Sequence, residues 1–364
     1  MNPDPAAGRS DSSIRIADIP PPHHAGGNAT ISIVSSAAGL QELLTTQTLR
    51  DRSGQLLLAV RRPAHALACT SAFQQSGSEL TCVHWILTDP VITADQIEEL
   101  SLLAARSTVH VVVDHFQHVE WIRKAAVTAN TTIGVLIQVD PGDGPGGLRP
   151  GHDTGDLARA AEQLTNVQVS GLAVQYPGAR FHDDSNAFRD RTSAVISSCS
   201  ILLQQITQRN AATVLIDFPT GSHHFTTAAH VLQEAFSVEH APEEAASGPQ
   251  LHVRSRPSLG VCILDAGRKT PGIPLLPKIT APAGATVRHV FDHHIEVVVA
   301  DAALDLRIGD SVTIQTEFIH QHHEDVAESS MPSVPGSAAS RAASATPAHD
   351  SKGNNQSPSQ RPPE

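Results

Sequence analysis

Between residues 29 and 240 the chain alternates short, almost uninterrupted Val/Ile/Leu runs with longer helical stretches. A run that is apolar at every position must be covered on both faces. That happens in parallel sheets, where the return to each next strand passes through a helix. Strands are predicted at 55–60, 83–87, 109–113, 133–139, 167–174 and 213–216, and helices at 37–44, 94–105, 115–129, 153–164, 186–208 and 226–235. The fold class that follows is α/β: a (β/α) TIM-type barrel first, a doubly wound open sheet second. From about residue 240 the rhythm changes to short strands at 251–253, 261–264, 286–291, 296–299 and 311–316, punctuated by Pro and Gly, with no long helix. This predicts a barrel over 29–244 and a small antiparallel β domain over 245–328. Residues 1–28 and 329–364 are rich in Pro, Gly, Ser and Ala and are expected to be disordered.

A formal charge of −12 argues against nucleic acid as the main partner, because phosphate binding needs a basic surface. No apolar run approaches the ~18 residues of a membrane span, and the polar N-terminus lacks the apolar core of a signal peptide. The four cysteines, Cys69, Cys82, Cys199 and Cys262, form no CxxC pair, so reduced thiols in a cytoplasmic protein are expected. Lysine is rare: Lys124, Lys269, Lys278 and Lys352 are the only four, and arginine cannot replace lysine in Schiff-base chemistry.

The loop VDPGDGPGGLRPG, 139–151, follows an apolar strand and precedes a helix. In βα folds the loop after the strand is where chemistry sits. Five further strings lie in order around it: ILTDPVITADQIEEL (86–100), VHVVVDHFQHVEWI (109–122), VSGLAVQYPG (169–178), VRSRPSLGVCILDAGRKT (253–270) and VRHVFDHHIEVVVADAALDLRIGDSVTI (287–314). Together the six resemble the D-threonine aldolase and D-serine dehydratase-like family, fold-type III enzymes whose barrel is related to that of alanine racemase. The resemblance implies pyridoxal phosphate held by a barrel lysine, a divalent metal (Zn or Mn) on an HxC or HxD pair in the β domain, and cleavage or dehydration of D-3-hydroxy amino acids. It also implies a homodimer and a small amino-acid ligand.

Residue by residue, the match is uneven. The family lysine follows the first barrel strand; in the string Arg62-Pro63-Ala64-His65-Ala66 its position is taken by Ala66. The family has room for two barrel units where only one helix fits between 60 and 83, so a barrel one unit short, or a sequence lacking a segment at 60–85, is one expectation. The arginine of the glycine loop is matched by Pro145, although Arg149 remains. Tyr176 and Gly178 match cofactor-site positions. Thr220, Gly221 and Ser222 occupy the phosphate loop, beside an unfavourable Asp217 and with Phe218 and Pro219 in place of glycines. For the metal, His320 and His322 alternate along a strand and so share a face; Asp292 and His294 do likewise. Asp265, Gly267 and Lys269 match a DAGxK string, which reads as a domain-junction turn with Lys269 in an ion pair. Two functions stay open: a divergent member, catalytically impaired at Ala66, or an active pyridoxal phosphate- and metal-dependent lyase.

Overall fold

A computed structural model describes residues 29–33, 55–75, 82–142, 146–175, 185–216, 230–234, 250–270, 272–274, 277–300 and 305–315. Eight parallel strands close into a barrel in sequence order: β1 Ala29–Ile33, β2 Gln55–Val60, β3 Cys82–Leu87, β4 Thr108–Val113, β5 Ile133–Gln138, β6 Val167–Gln175, β7 Ala212–Ile216 and β8 His230–Glu234. The circle is joined where β1 pairs with β8 along its whole length and with β2 at Ile33 and Ala59. The barrel thus has its full set of strands. Between β2 and β3 stands helix α1 (Pro63–Gln75), and six register pairs join the two strands directly.

Two expectations change. The first barrel strand is Ala29–Ile33, not 55–60. The expected helix at 226–235 is, over its described part, strand β8. The expected helix at 37–44 lies outside the described residues. The remaining helices are α2 (Ala94–Ala104), α3 (Phe116–Thr128), α4 (His152–Glu162) and α5 (Ser185–Thr207), each within two residues of its expected bounds. Their starts are chemically marked. Thr93 and Gln96 form a reciprocal capping box on α2. His115 caps α3 by accepting the Gln117 amide at Nδ1, 3.0 Å.

The strands bury both faces. One set of residues, Leu58, Trp85, Val111 and Val135 among them, packs against the helices. The opposite set, including Ala59, Ile86, Val112, Leu136 and Val214, fills the barrel interior. Two histidines, His84 and His110, are also buried, at 1% and 4% exposure. The His110 Nδ1 lies 3.1 Å from Ser170 Oγ, on the strand two places away. Gly134 on the intervening strand makes this possible: a Cβ there would stand 2.1 Å from His110 Nδ1. Burial, with a smaller contribution from His84, pushes the His110 imidazole down to about 3.

The β domain is a six-stranded antiparallel sheet: β9 Gln250–Ser258, β10 Val261–Leu264, β11 Lys278–Ala281, β12 Ala285–Val290, β13 Ile295–Val299 and β14 Ser311–Gln315, in the spatial order β11-β14-β9-β10-β13-β12. Strict alternation on β13 and β14 puts Ile295, Val297, Val299, Val312 and Ile314 into its core.

Gly134→Ala is expected to force the His110 ring from its place and lower stability by about 1–3 kcal/mol in urea unfolding. His110 also sets an acid limit. Its folded value lies below the ordinary 6.5, so the unfolded chain binds the proton first. Stability is complete above about pH 6.5 and falls toward pH 3, by up to roughly 1.4 kcal/mol per pH unit from this group. A His110→Gln variant should flatten that slope between pH 6 and 4; an unchanged slope would remove His110 as its source.

Candidate functional site

Barrel strands end in polar side chains at the rim where their C-termini emerge. Asp89 follows β3, Asp114 follows β4, Gln138 closes β5 ahead of Asp140, and Gln175 closes β6. This is the face on which (β/α) barrels carry their chemistry. Strand β9 of the β domain meets the same rim through Arg254 and Ser255.

Asp89 receives the Arg254 guanidinium at 3.0 Å, and Arg61 stands 3.8 Å from the same oxygen. Burial alone would raise the Asp89 carboxyl, but Arg254, Arg61 and Arg62 outweigh it and hold it below the usual carboxylate range. Arg62 donates to the Asp265 carbonyl at 3.2 Å and lies 3.8 Å from its carboxylate, tying the turn after β10 to the start of α1.

Asp114 is the most heavily used group. Its Oδ2 accepts from Ser255 Oγ at 2.5 Å and from the Gly147 amide at 3.2 Å. Its Oδ1 stands 3.3 Å from His118 Nδ1. Burial opposes ionisation, but His118, Ser255 and Arg254 together keep the carboxyl below its usual range. Gly147 reaches Asp114 with φ +110°, a backbone state that side chains with a Cβ rarely adopt. His118 is fully buried on α3, and its Nε2 sits 3.0 Å from the Arg254 carbonyl. Beside this group, Gln138 Nε2 donates long bonds of 3.4 Å to the Gly146 carbonyl and to Gln175 Oε1.

Serine, aspartate and histidine meet here, but in the wrong order for nucleophilic catalysis. A serine nucleophile needs an imidazole as its base. Ser255 instead donates to the acid, and both His118 nitrogens face other groups. The arrangement fastens one domain to the other. The amides of Gln138 and Gln175 are buried beside it and bonded to each other.

Residues 62–228 match the family model for the alanine racemase N-terminal domain. The 3-hydroxy-D-aspartate aldolase of Paracoccus denitrificans (strain Pd 1222) is 26% identical over 154 residues, 41% of this chain and 39% of that enzyme. Over these stretches the chain is similar to the alanine racemase N-terminal domain and to an aldolase acting on a D-amino acid. The stretch matched spans well under half the length of the curated relative. Among solved structures, the D-threonine aldolase of Filomicrobium marinum aligns at a TM-score of 0.46 and 19% identity, covering 78% of this chain and 79% of that one. The D-threo-3-hydroxyaspartate dehydratase of Delftia sp. HT23 aligns at 0.44 and 13%, covering 80% and 83%.

Ala66 is the position that the resemblance gives to the family lysine, and it lies on α1. It follows the second strand, not the first, and is fully buried in the helix-facing core. The residues that follow the first strand, 34–54, contain no lysine and lie outside the described residues. Lys124 is exposed on α3, Lys278 is exposed on β11, and Lys269 pairs with Asp292 at 4.0 Å, as expected of the junction turn. Arg149 is exposed and lies 3.6 Å from Asp153. Tyr176, Gly178, Thr220, Gly221, Ser222, Pro145, His320 and His322 all lie outside the described residues. Asp292 and His294 do not work together. Asp292 pairs outward with Arg268 at 2.7 Å, while His294 is buried and stacked on Phe291 at 4.3 Å. Among the described residues no group of three or more metal-ligating side chains converges, and no helix is long and apolar enough to cross a membrane.

Sequence reading missed Asp89, Asp114, His118, Arg254 and Ser255 as a set. One signal was present: ILTD, VVVD and IQVD each carry an aspartate at or just beyond a strand end. Arg254→Met is expected to cost about 2–4 kcal/mol in urea unfolding, because it leaves Asp89 buried with only the more distant arginines. Asp89→Asn in the same background should recover part of the loss.

Proposed function

We propose that this chain is a divergent fold-type III protein that binds a small amino-acid-like ligand at the barrel mouth without forming a Schiff base. The observation that carries this reading is the position of the lysines. The position that the resemblance gives to the family lysine is Ala66, and of the three described lysines Lys124 and Lys278 are exposed on α3 and β11 while Lys269 pairs with Asp292. Pyridoxal phosphate held covalently therefore does not fit the described residues. At the rim the buried amides of Gln138 and Gln175 bond to each other.

On the same reading, Tyr176, Gly178, Thr220, Gly221 and Ser222 are the residues that would meet a ligand phosphate, and His320 with His322 the pair that would take zinc or manganese. A cytoplasmic homodimer is the expected state of the protein. The alternative, a working lyase on D-3-hydroxy amino acids, is supported by the curated relative's printed activity over the matched segment.

Purified full-length protein should be mixed with pyridoxal phosphate and its absorbance followed before and after borohydride. Turnover of D-threonine, D-serine and 3-hydroxy-D-aspartate should be assayed with manganese or zinc. The expected outcome is no Schiff-base band and no turnover. A band that borohydride converts into a pyridoxyl-lysine, with turnover, would establish the lyase instead.

A further inference from the structure

His294, in the turn between β12 and β13, is a buried side chain that the domain junction does not use. It is 5% exposed and its ring stacks on Phe291 at 4.3 Å, yet among the described residues its Nε2 has no hydrogen-bond partner. A buried ring nitrogen left without a partner is costly, so such an atom marks a place where another polar group is received. Burial first, and Arg254 second, hold this imidazole well below its ordinary range, so the ring is neutral and brings one N–H and one lone pair.

The charges around it do not balance. Those that act on His294 belong to Arg254, Asp89, His293 and Arg61, and those that act on Asp89 to Arg254, Arg61, Arg62 and His293. Arg62 is answered by Asp265 at 3.8 Å. Leaving His293 aside, two guanidiniums then share one carboxylate among the described residues. Arg254 holds Asp89 Oδ1 at 3.0 Å, and Arg61 stands 3.8 Å from the same atom. The side chains of Arg254, Arg61 and Asp89 are only 6%, 13% and 15% exposed, so the surplus positive charge sits where little water screens it. A planar guanidinium pairs well with a carboxylate, and one surplus charge calls for a monoanion rather than a phosphate dianion.

We propose that Arg61 and His294 form a carboxylate-binding site where the β domain meets the barrel rim, with Arg61 supplying the charge and the His294 Nε2–H a hydrogen bond. The inference rests on the reading of an amino-acid-like ligand and names the group by which that ligand is held. Arg61 belongs to the barrel and His294 to the β domain, so a carboxylate bound to both spans the junction.

The test titrates the full-length wild-type protein near neutral pH with acetate, D-serine and ethanolamine, each replacing chloride salt at constant ionic strength. Binding is read by calorimetry and the His294 ring by nitrogen-15 NMR. Acetate and D-serine should saturate and move the His294 Nε2 signal; ethanolamine, which lacks the carboxylate, should do neither. Arg61→Met leaves Asp89 its closer partner Arg254 and should weaken both ligands by at least about tenfold. D-serine binding that neither moves His294 nor weakens in Arg61→Met would overturn this site and keep the amino-acid reading. Acetate binding that moves His294, without D-serine binding, would keep the site and overturn that reading. Binding of neither would overturn both. If Arg61→Met fails to fold, the His294 signal of the wild type decides.

Discussion

A single buried carboxylate, Asp114, joins four parts of the molecule. It ends a central barrel strand, receives the backbone of the glycine loop at Gly147, faces His118 on the following helix, and accepts Ser255 from the β domain. A buried charge is stable only when its partners are complete, so each contact depends on the others. The parallel pair of Asp89 and Arg254 repeats the device one strand away. Together they place β9 on the rim and hold the glycine loop in a shape that needs a positive φ.

This arrangement bears on function. Asp89 is paired with Arg254 and Asp114 is bonded to Ser255 across the domain junction, and their partners hold both carboxyls below the usual range. The described rim is built for rigidity and domain union.

Much of the barrel could be read from the chain because buried parallel strands write themselves as nearly continuous apolar runs; β2, β5 and β7 are of this kind. The two strands that were not read lack that mark. Ala29–Ile33 is five residues with two polar threonine and serine positions. His230–Glu234 lies in a stretch of Ala, Leu, Gln and Glu whose propensity favours helix, and pairing with both β1 and β7 overrides it. The domain junction was illegible for another reason. Its bonds connect residues 165, 141 and 136 positions apart, and no local pattern carries such pairs.

The most direct measurement of the central claim is a double-mutant cycle between Asp114 and Ser255, read by urea unfolding of wild type, Asp114→Asn, Ser255→Ala and the double variant. If the buried carboxylate is what unites the two domains, the single losses will not add, and the coupling will be at least about 1 kcal/mol. Simple additivity within about 0.3 kcal/mol would show that the two side chains contribute independently, and that the domains are held together by something else.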